Sequence, residues 1–263
     1  MVTPAGGREE PGIAGWRVRH FAEIDSTNEE ARRRAAAGDE GDLALYADTQ
    51  TAGRGRRGRA WVSPPGNLMF SLLLRPKAGP ARAAELSFAT AIALHEALAT
   101  LTGEGFRFQL KWPNDVLLDG AKVAGILLES ATGSDGALEF LVIGAGINLA
   151  HFPDNTPYPA TSVAASLGHH VERRAALAEV LTRLGHWVTV WEREGFAPIR
   201  EAWVSRAAGL GERITVRLSD ETIEGTFAGL RPDGALDLRL DNGASRAITA
   251  GDVFLPGVVG ASV

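Results

Sequence analysis

The run NLMFSLLLRP, residues 67–76, does most to constrain the fold. It is mostly apolar, far too short for a membrane helix, and closed by Pro76. Such a run reads as a strand buried inside a sheet. LEFLVIGAGINL, 138–149, repeats the pattern after a turn from Gly133 to Gly136. VLLDGAKVAGILLES, 116–130, reads as two strands joined at Asp119-Gly120, a dipeptide whose backbone suits a tight hairpin. Residues 16–24, 43–49 and 106–112 add further strands.

Helices are signalled between them. Ser26 and Glu29 have capping-box spacing, so a short helix starts after Ser26, with Gly38 just past its end. From Ala81 to Leu101 helix formers dominate, and Leu86, Ala89, Ala93 and Ala97 make one stripe. Residues 172–195 predict a long amphipathic helix whose apolar positions (Leu177, Val180, Leu181, Leu184, Trp187, Val188 and Trp191) pack on a core. The texture changes near Gly211. RITVRL, TIEGTFAGL, ALDLRL and ASRAITA are short β segments punctuated by Asp233-Gly234 and Asn242-Gly243, the pattern of a small β-barrel. The expected division is a disordered tail over 1–15, a helix-and-sheet domain over 16–209 and a small β domain over 210–263.

Composition removes several kinds of chemistry. The 263 residues contain no cysteine, which excludes disulfides, a thiolate nucleophile and a cysteine zinc site. No apolar run spans a bilayer and the N-terminus has no signal-type apolar stretch, so the expected location is the cytoplasm, without membrane contact. A formal charge of −5 opposes a surface devoted to nucleic acid, though not a local basic site.

One such site is obvious. GRGRRGR, residues 53–59, packs four arginines and three glycines into seven positions. Glycines let a backbone approach a ligand closely, and arginines supply planar donor forks for carboxylate or phosphate. Like charges at this density repel unless an anion sits among them. The loop is therefore expected to be mobile when empty and ordered by an anionic ligand; a solvated basic loop or an RNA contact is the plainer alternative. No G-K-[ST] follows, so it is not a Walker loop. In KWPND, 111–115, Lys111, Trp112, Asn114 and Asp115 surround a proline that must break a strand. Lys122 follows the hairpin turn among apolar neighbours. Pointing inward it needs an anion; pointing outward it is an ordinary turn lysine. Gly125 inside a strand marks close approach of backbone or ligand. Ser26, Thr27 and Asn28 put three hydrogen-bonding side chains at a helix start, and capping explains only the first. GAGIN, 144–148, reads alone as a structural turn.

Taken in order, these stretches are similar to the biotin protein ligases. The T-Q-x-x-G-R-G-R-R-G-R loop (Thr49 to Arg59), K-W-P-N-D, the G-x-K-x-x-G hairpin (Gly120 to Gly125) and G-x-G-I-N match in order and spacing along roughly residues 16 to 258. The resemblance implies an α+β fold, a catalytic domain like that of class II aminoacyl-tRNA synthetases (a mixed sheet flanked by helices), with a small SH3-like β-barrel after it. It implies a two-step reaction. Biotin and ATP give biotinyl-5′-AMP and pyrophosphate, and a lysine of a biotin carboxyl carrier protein then takes the biotinyl group and releases AMP. Mg²⁺ would accompany ATP, with no ligands evident from spacing.

By motif position the resemblance implies roles for individual residues. Ser26, Thr27, Asn28 and Gln50 would bind the biotin head, with Gly53, Arg54 and Gly125 lining its pocket. Lys122 would hold the carboxylate and then the acyl phosphate. Arg54, Arg56 and Arg59 would face the phosphates. Trp61 would pack on adenine, with Asn114 and Asn148 near the nucleotide. Lys111 and Asp115 would sit at the reacting centre, Asp115 guiding the incoming amine. Only about fifteen residues precede the first expected strand, too few for the winged helix-turn-helix of some relatives, so the expectation is a ligase that binds no DNA and represses nothing. Specific operator binding would overturn it. Monomer and homodimer both stay open.

Two rivals remain. A lipoate or octanoate ligase or transferase shares the acid-to-lysine logic; the arginine loop and terminal barrel favour biotin. A nucleic-acid module needs a basic barrel. Residues 211–255 instead carry five arginines (213, 217, 231, 239, 246) against eight acids (212, 220, 221, 224, 233, 237, 241, 252).

Overall fold

The strand patterns pair into two sheets in a computed structural model that describes residues 6–154, 156 and 158–256. The first sheet contains β1 (Arg8–Ile13), β2 (Trp16–Ile24), β3 (Leu43–Gln50), β4 (Leu68–Leu74), β5 (Phe108–Lys111), β6 (Asp115–Leu118), β7 (Ala121–Thr132) and β8 (Leu138–Ile147). Their spatial order is β1-β2-β3-β4-β8-β7-β6-β5. Only β2 and β3 run parallel, joined through helix α1 (Thr27–Ala36), so the sheet is mixed.

The sheet is covered on both faces, which explains the unbroken apolar character of β4. Phe70, Leu72 and Leu74 belong to the larger core with α3 (Leu86–Thr102) and α5 (Arg173–Glu194). Leu73 belongs to a smaller core that contains Ala31 and Ala35 of α1. Strand alternation assigns Ser71 to the side of Leu73, beneath the first turn of α1. The expected stripe of α3 and most of that of α5 are buried; Trp187 and Val188 are partly buried.

Several expectations need correction. Residues 8–13, assigned to a disordered tail, form β1, an edge strand antiparallel to β2. Pro11 is tolerated because an edge strand can forgo a donor. Glu10 is tied into the molecule by the Tyr46 hydroxyl, which donates to it at 2.9 Å. Residues 1–5 of that tail lie outside the described part. The helix read across 81–101 is two, α2 (Pro80–Ala84) and α3. Helices α4 (Val163–Leu167) and α6 (Phe196–Val204) were not anticipated. Nor does Ser26 cap α1 through its side chain.

Strands β9 (Arg213–Arg217), β10 (Thr222–Leu230), β11 (Leu236–Arg239), β12 (Ser245–Ile248) and β13 (Asp252–Phe254) form the second, antiparallel sheet in the order β12-β11-β10-β9-β13. It docks on the first unit: the Trp112 indole N–H donates to the Gly234 carbonyl at 3.2 Å, and Gly234 sits so close to the Phe88 ring that a methyl group there would collide with it.

Candidate active site

A cavity of about 670 Å³ opens between the sheet, the arginine loop and the second unit. At its centre are three charged side chains placed by strand register. Lys111 and Asp115 are cross-strand partners in the β5–β6 hairpin. Lys122, in the neighbouring hairpin, would face away from Asp115 if the alternation were strict. A bulge in β6–β7, between Val116 and Leu117, sets Lys122 opposite Leu117 and so turns it onto the Asp115 face. The Lys122 Nζ lies 2.6 Å from Asp115 Oδ1, and the Lys111 Nζ lies 3.2 Å from Oδ2. Lys111 also lies over the Tyr158 ring, 4.5 Å from its centroid.

Burial decides how these charges behave. It opposes ionisation of Asp115, but Lys122 and Lys111 outweigh it and hold the carboxyl down at about 2. Burial lowers the pKa of Lys111 despite Asp115, and Lys122 adds to the lowering. Asp115 is thus ionised at neutral pH and lies between the two lysine nitrogens.

One wall is bare backbone. Gly125 and Gly146 are cross-strand partners on β7 and β8, and Gly144 lies two residues along. A methyl group on Gly146 would fall inside the Trp61 indole, and one on Gly144 would collide with the Asn28 amide. A methyl on Gly125 would approach Lys122 Nζ to 3.0 Å. GAGIN is thus strand rather than turn, and its glycines are where the wall must be thin. The Trp61 indole lies across this strip near Lys122, 5.5 Å from Nζ, with its N–H buried and unpartnered among the described residues.

The end beneath α1 is neutral and hydrogen-bonded. Gln50 Oε1 accepts from the Thr27 backbone at 2.8 Å and from its hydroxyl at 3.1 Å. Ser71 lies within hydrogen-bond reach of Thr27 Oγ1 and Asn28 Oδ1, at 2.7 and 2.5 Å. Asn28 Oδ1 only accepts, so Ser71's single proton goes there and the Thr27 hydroxyl proton is shared between Ser71 and Gln50. Asn28 donates onward to Glu129 at 2.7 Å. Ser26, freed from capping, also lines the cavity.

The arginines divide their work. Arg54 lines the cavity, and its guanidinium pairs with Glu29 and with Glu129, the latter at 3.2 Å. Arg56 points inward, and burial lowers its pKa; its Nη1 donates to Asn114 Oδ1 at 3.0 Å. Arg57 and Arg59 both reach Asp252 on β13, at 3.0 and 2.9 Å. Carboxylates from both units, Glu29 and Glu129 on one side and Asp252 on the other, engage three of the loop's four arginines.

Of the residues singled out from sequence, Ser26, Thr27, Asn28, Gln50, Arg54, Arg56, Arg59, Trp61, Lys111, Asn114, Asp115, Lys122, Gly125 and Asn148 all line this cavity. Gly53 does not; its carbonyl accepts from Trp61 N at 3.0 Å and so shapes the loop root. Asn148 already donates to the Thr161 carbonyl at 3.0 Å. Sequence reasoning missed Ser71, Glu129, Tyr158, Arg217 and Asp252. Ser71 had a signal, a lone hydroxyl in an apolar strand; the others had none that adjacency could supply.

A mixed-sheet domain with a glycine-floored cavity, a neutral hydrogen-bonded end and a lysine-carboxylate end suits a ligase that activates a carboxylic acid. Residues 21–148 match the Biotin/lipoate A/B protein ligase family and residues 209–255 the Biotin protein ligase C terminal domain. The chain is 44% identical to the biotin–[acetyl-CoA-carboxylase] ligase of Paracoccus denitrificans over 242 residues, 90% of this chain and 100% of that one. It is 35% identical to the bifunctional ligase/repressor BirA of Escherichia coli, over 87% of this chain and 71% of that one. The Aquifex aeolicus biotin protein ligase solved with biotin and ATP superposes with a TM-score of 0.77 at 30% identity, covering 90% of this chain and 97% of that one. The chain belongs to the biotin protein ligase branch of this family.

Proposed function

We propose that this protein activates biotin with ATP and transfers it to one lysine of the biotin carboxyl carrier protein or domain of an acetyl-CoA carboxylase. The observation that carries the reading is the two-ended cavity: hydroxyl and amide groups at one end suit a ureido head, and the Lys111–Asp115–Lys122 cluster suits a carboxylate and then a phosphoanhydride. A biotin carboxylate oxygen attacks the α-phosphorus of ATP and pyrophosphate leaves. The carrier lysine nitrogen then attacks the acyl carbon, loses a proton, and AMP leaves. Lys122 bears the negative charge that is shared along the carboxylate and phosphoryl oxygens. Arg56 closes beside it and limits water. Asp115, ionised down to about pH 2, is too weak a base to hold the amine proton at neutral pH, so its part is to orient the amine.

Mg²⁺ enters with ATP. Among the described residues no three carboxylates or histidines gather to hold a metal, and both carboxylates lining the cavity are already engaged by cations. The donor set therefore fits an ion carried on the phosphates. No helix of the described residues is long and apolar enough to cross a membrane. The cytoplasm, which holds ATP and carboxylases, suits a cysteine-free chain.

Intact-mass spectrometry tests the reading. Apo carrier domain incubated with the protein, biotin, ATP and Mg²⁺ should gain a single ATP-dependent biotinyl adduct. An adduct only on a lipoyl domain supplied with lipoate would change the substrate, and none in either tube would reject the ligase.

A further inference from the structure

The second unit brings Arg217 of β9 and Asp252, Val253 and Phe254 of β13 to the same cavity. Asp252 is consumed by Arg57 and Arg59. Arg217 on β9, its cross-strand neighbour, lines the cavity with no carboxylate partner among the described residues. Its guanidinium lies over the Phe254 ring, 4.8 Å from the centroid. Stacking of this kind restrains the fork and leaves its N–H edges free. Phe254 also lines the cavity.

An arginine placed beside an acid would normally pair with it. Here Asp252 pairs with the loop instead, which leaves Arg217 as an uncommitted cation in the wall that the second unit gives to the cavity shared with Arg56 and Lys122. A substrate whose carboxylate meets Lys122 and whose α-phosphate follows places further phosphates toward the second unit. We propose that Arg217, restrained by Phe254, binds the terminal phosphates of ATP and the departing pyrophosphate. This rests on the ligase reading above. The bond broken is the one between the α-phosphorus and its bridging oxygen to the β-phosphate, and the pyrophosphate oxyanion carries the electron pair away. Arg217 stabilises that developing charge from outside the catalytic sheet. An acidic patch on the acceptor protein is the competing partner for the same arginine, and the test separates them.

The experiment uses the full chain with Arg217→Ala, Arg217→Lys and Phe254→Ala. Calorimetric titration with Mg-pyrophosphate and with an α,β-methylene ATP analogue gives affinities that do not depend on turnover. Arg217→Ala should weaken both by about tenfold or more, the size expected for lost charge-assisted hydrogen bonds. Arg217→Lys should recover part of it, Phe254→Ala should show a smaller loss, and affinity for biotin and melting temperature should stay as in the parent. Unchanged affinity for both phosphate ligands, or a rise confined to the KM of the carrier protein, would overturn the proposal. Biotin-dependent ATP–pyrophosphate exchange by the parent is the control. Its absence rejects the ligase reading; its presence with unaltered Arg217→Ala rejects only this arginine's role.

Discussion

Two sets of ion pairs sit within one cavity and obey different rules. In the Lys111–Asp115–Lys122 cluster the Lys111 and Asp115 side chains are 7% and 9% exposed, and Lys122 reaches into the cavity at 26%. The loop latch joins Arg57 and Arg59, 40% and 49% exposed, to Asp252 at 29%. Charges removed from water cannot be left alone, so the buried cluster has one arrangement and holds its field before any substrate comes. Exposed pairs are worth roughly 0–1 kcal/mol and are screened by salt, so the latch can be exchanged for another anion. On the proposed function, the difference would let a rigid centre and an exchangeable loop work in one cavity. The centre is fixed by burial, and the loop is held just firmly enough to be exchangeable.

The sharpest break in that contrast is Asp115→Asn. It leaves two ammonium groups facing each other without their anion and should cost about 3–5 kcal/mol in urea unfolding. A loss below 1 kcal/mol would put the buried cluster in the same class as the latch. The acid limb gives an independent check. Asp115's pKa is depressed in the folded state, so its stabilisation is complete above the unfolded value of 3.8 and is lost as pH falls through that value to about 2. The parent's stability should fall with that slope over this window, and the variant should lack it. Lys122→Ala removes the cation nearest the reacting oxygens. Adenylate formation, followed by biotin-dependent pyrophosphate exchange, should drop on the order of 10²–10³-fold with the fold intact. Near-normal exchange would refute its role.

Arg56 stands between the two sets, half-buried, and bonded to Asn114 rather than to a carboxylate. Arg56→Gly should release biotinyl-adenylate about tenfold faster, seen as ATP-dependent labelling of a bystander protein such as albumin. If the variant retains the adenylate as the parent does, the loop is not a lid.

How much of this was legible beforehand follows the same division. The strands of the sheet are written in apolar runs, and β2 begins and ends where WRVRHFAEI does. The reacting centre was legible because the KWPND hairpin and the G-x-K-x-x-G hairpin are local: each places its own side chains. The bulge that turns Lys122 inward leaves no mark in the sequence. β1 was illegible because REEPGI has no alternation and Ile13 as its one large apolar side chain; its edge position and Glu10's contact with Tyr46 hold it. Helix α6 was hidden by Pro198, which an early helical position accommodates. The latch was illegible for a different reason. Asp252 lies 195 residues from Arg57 in the chain, and one acid among eight in an acidic segment carries no sign of its partner.

That latch offers the smallest effect and the finest test. Asp252→Ala removes the acceptor shared by Arg57 and Arg59. Two exposed pairs on one carboxylate should change unfolding free energy by less than about 1 kcal/mol. Loop accessibility is more sensitive, because opening there requires only that the pairs let go. Trypsin should cut after Arg57 or Arg59 several-fold faster in the variant at low salt. The gap should close as salt approaches about 1 M, where the screening length shrinks to about 3 Å. Mg-ATP with biotin should protect parent and variant alike, since the ligand's phosphates then take the place of Asp252. A variant that loses several kcal/mol, or one whose faster cleavage persists at high salt, would show that Asp252 supports the second sheet itself. The loop would then be closed by the architecture, as the reacting centre is, and the contrast between the two sets of charges would collapse.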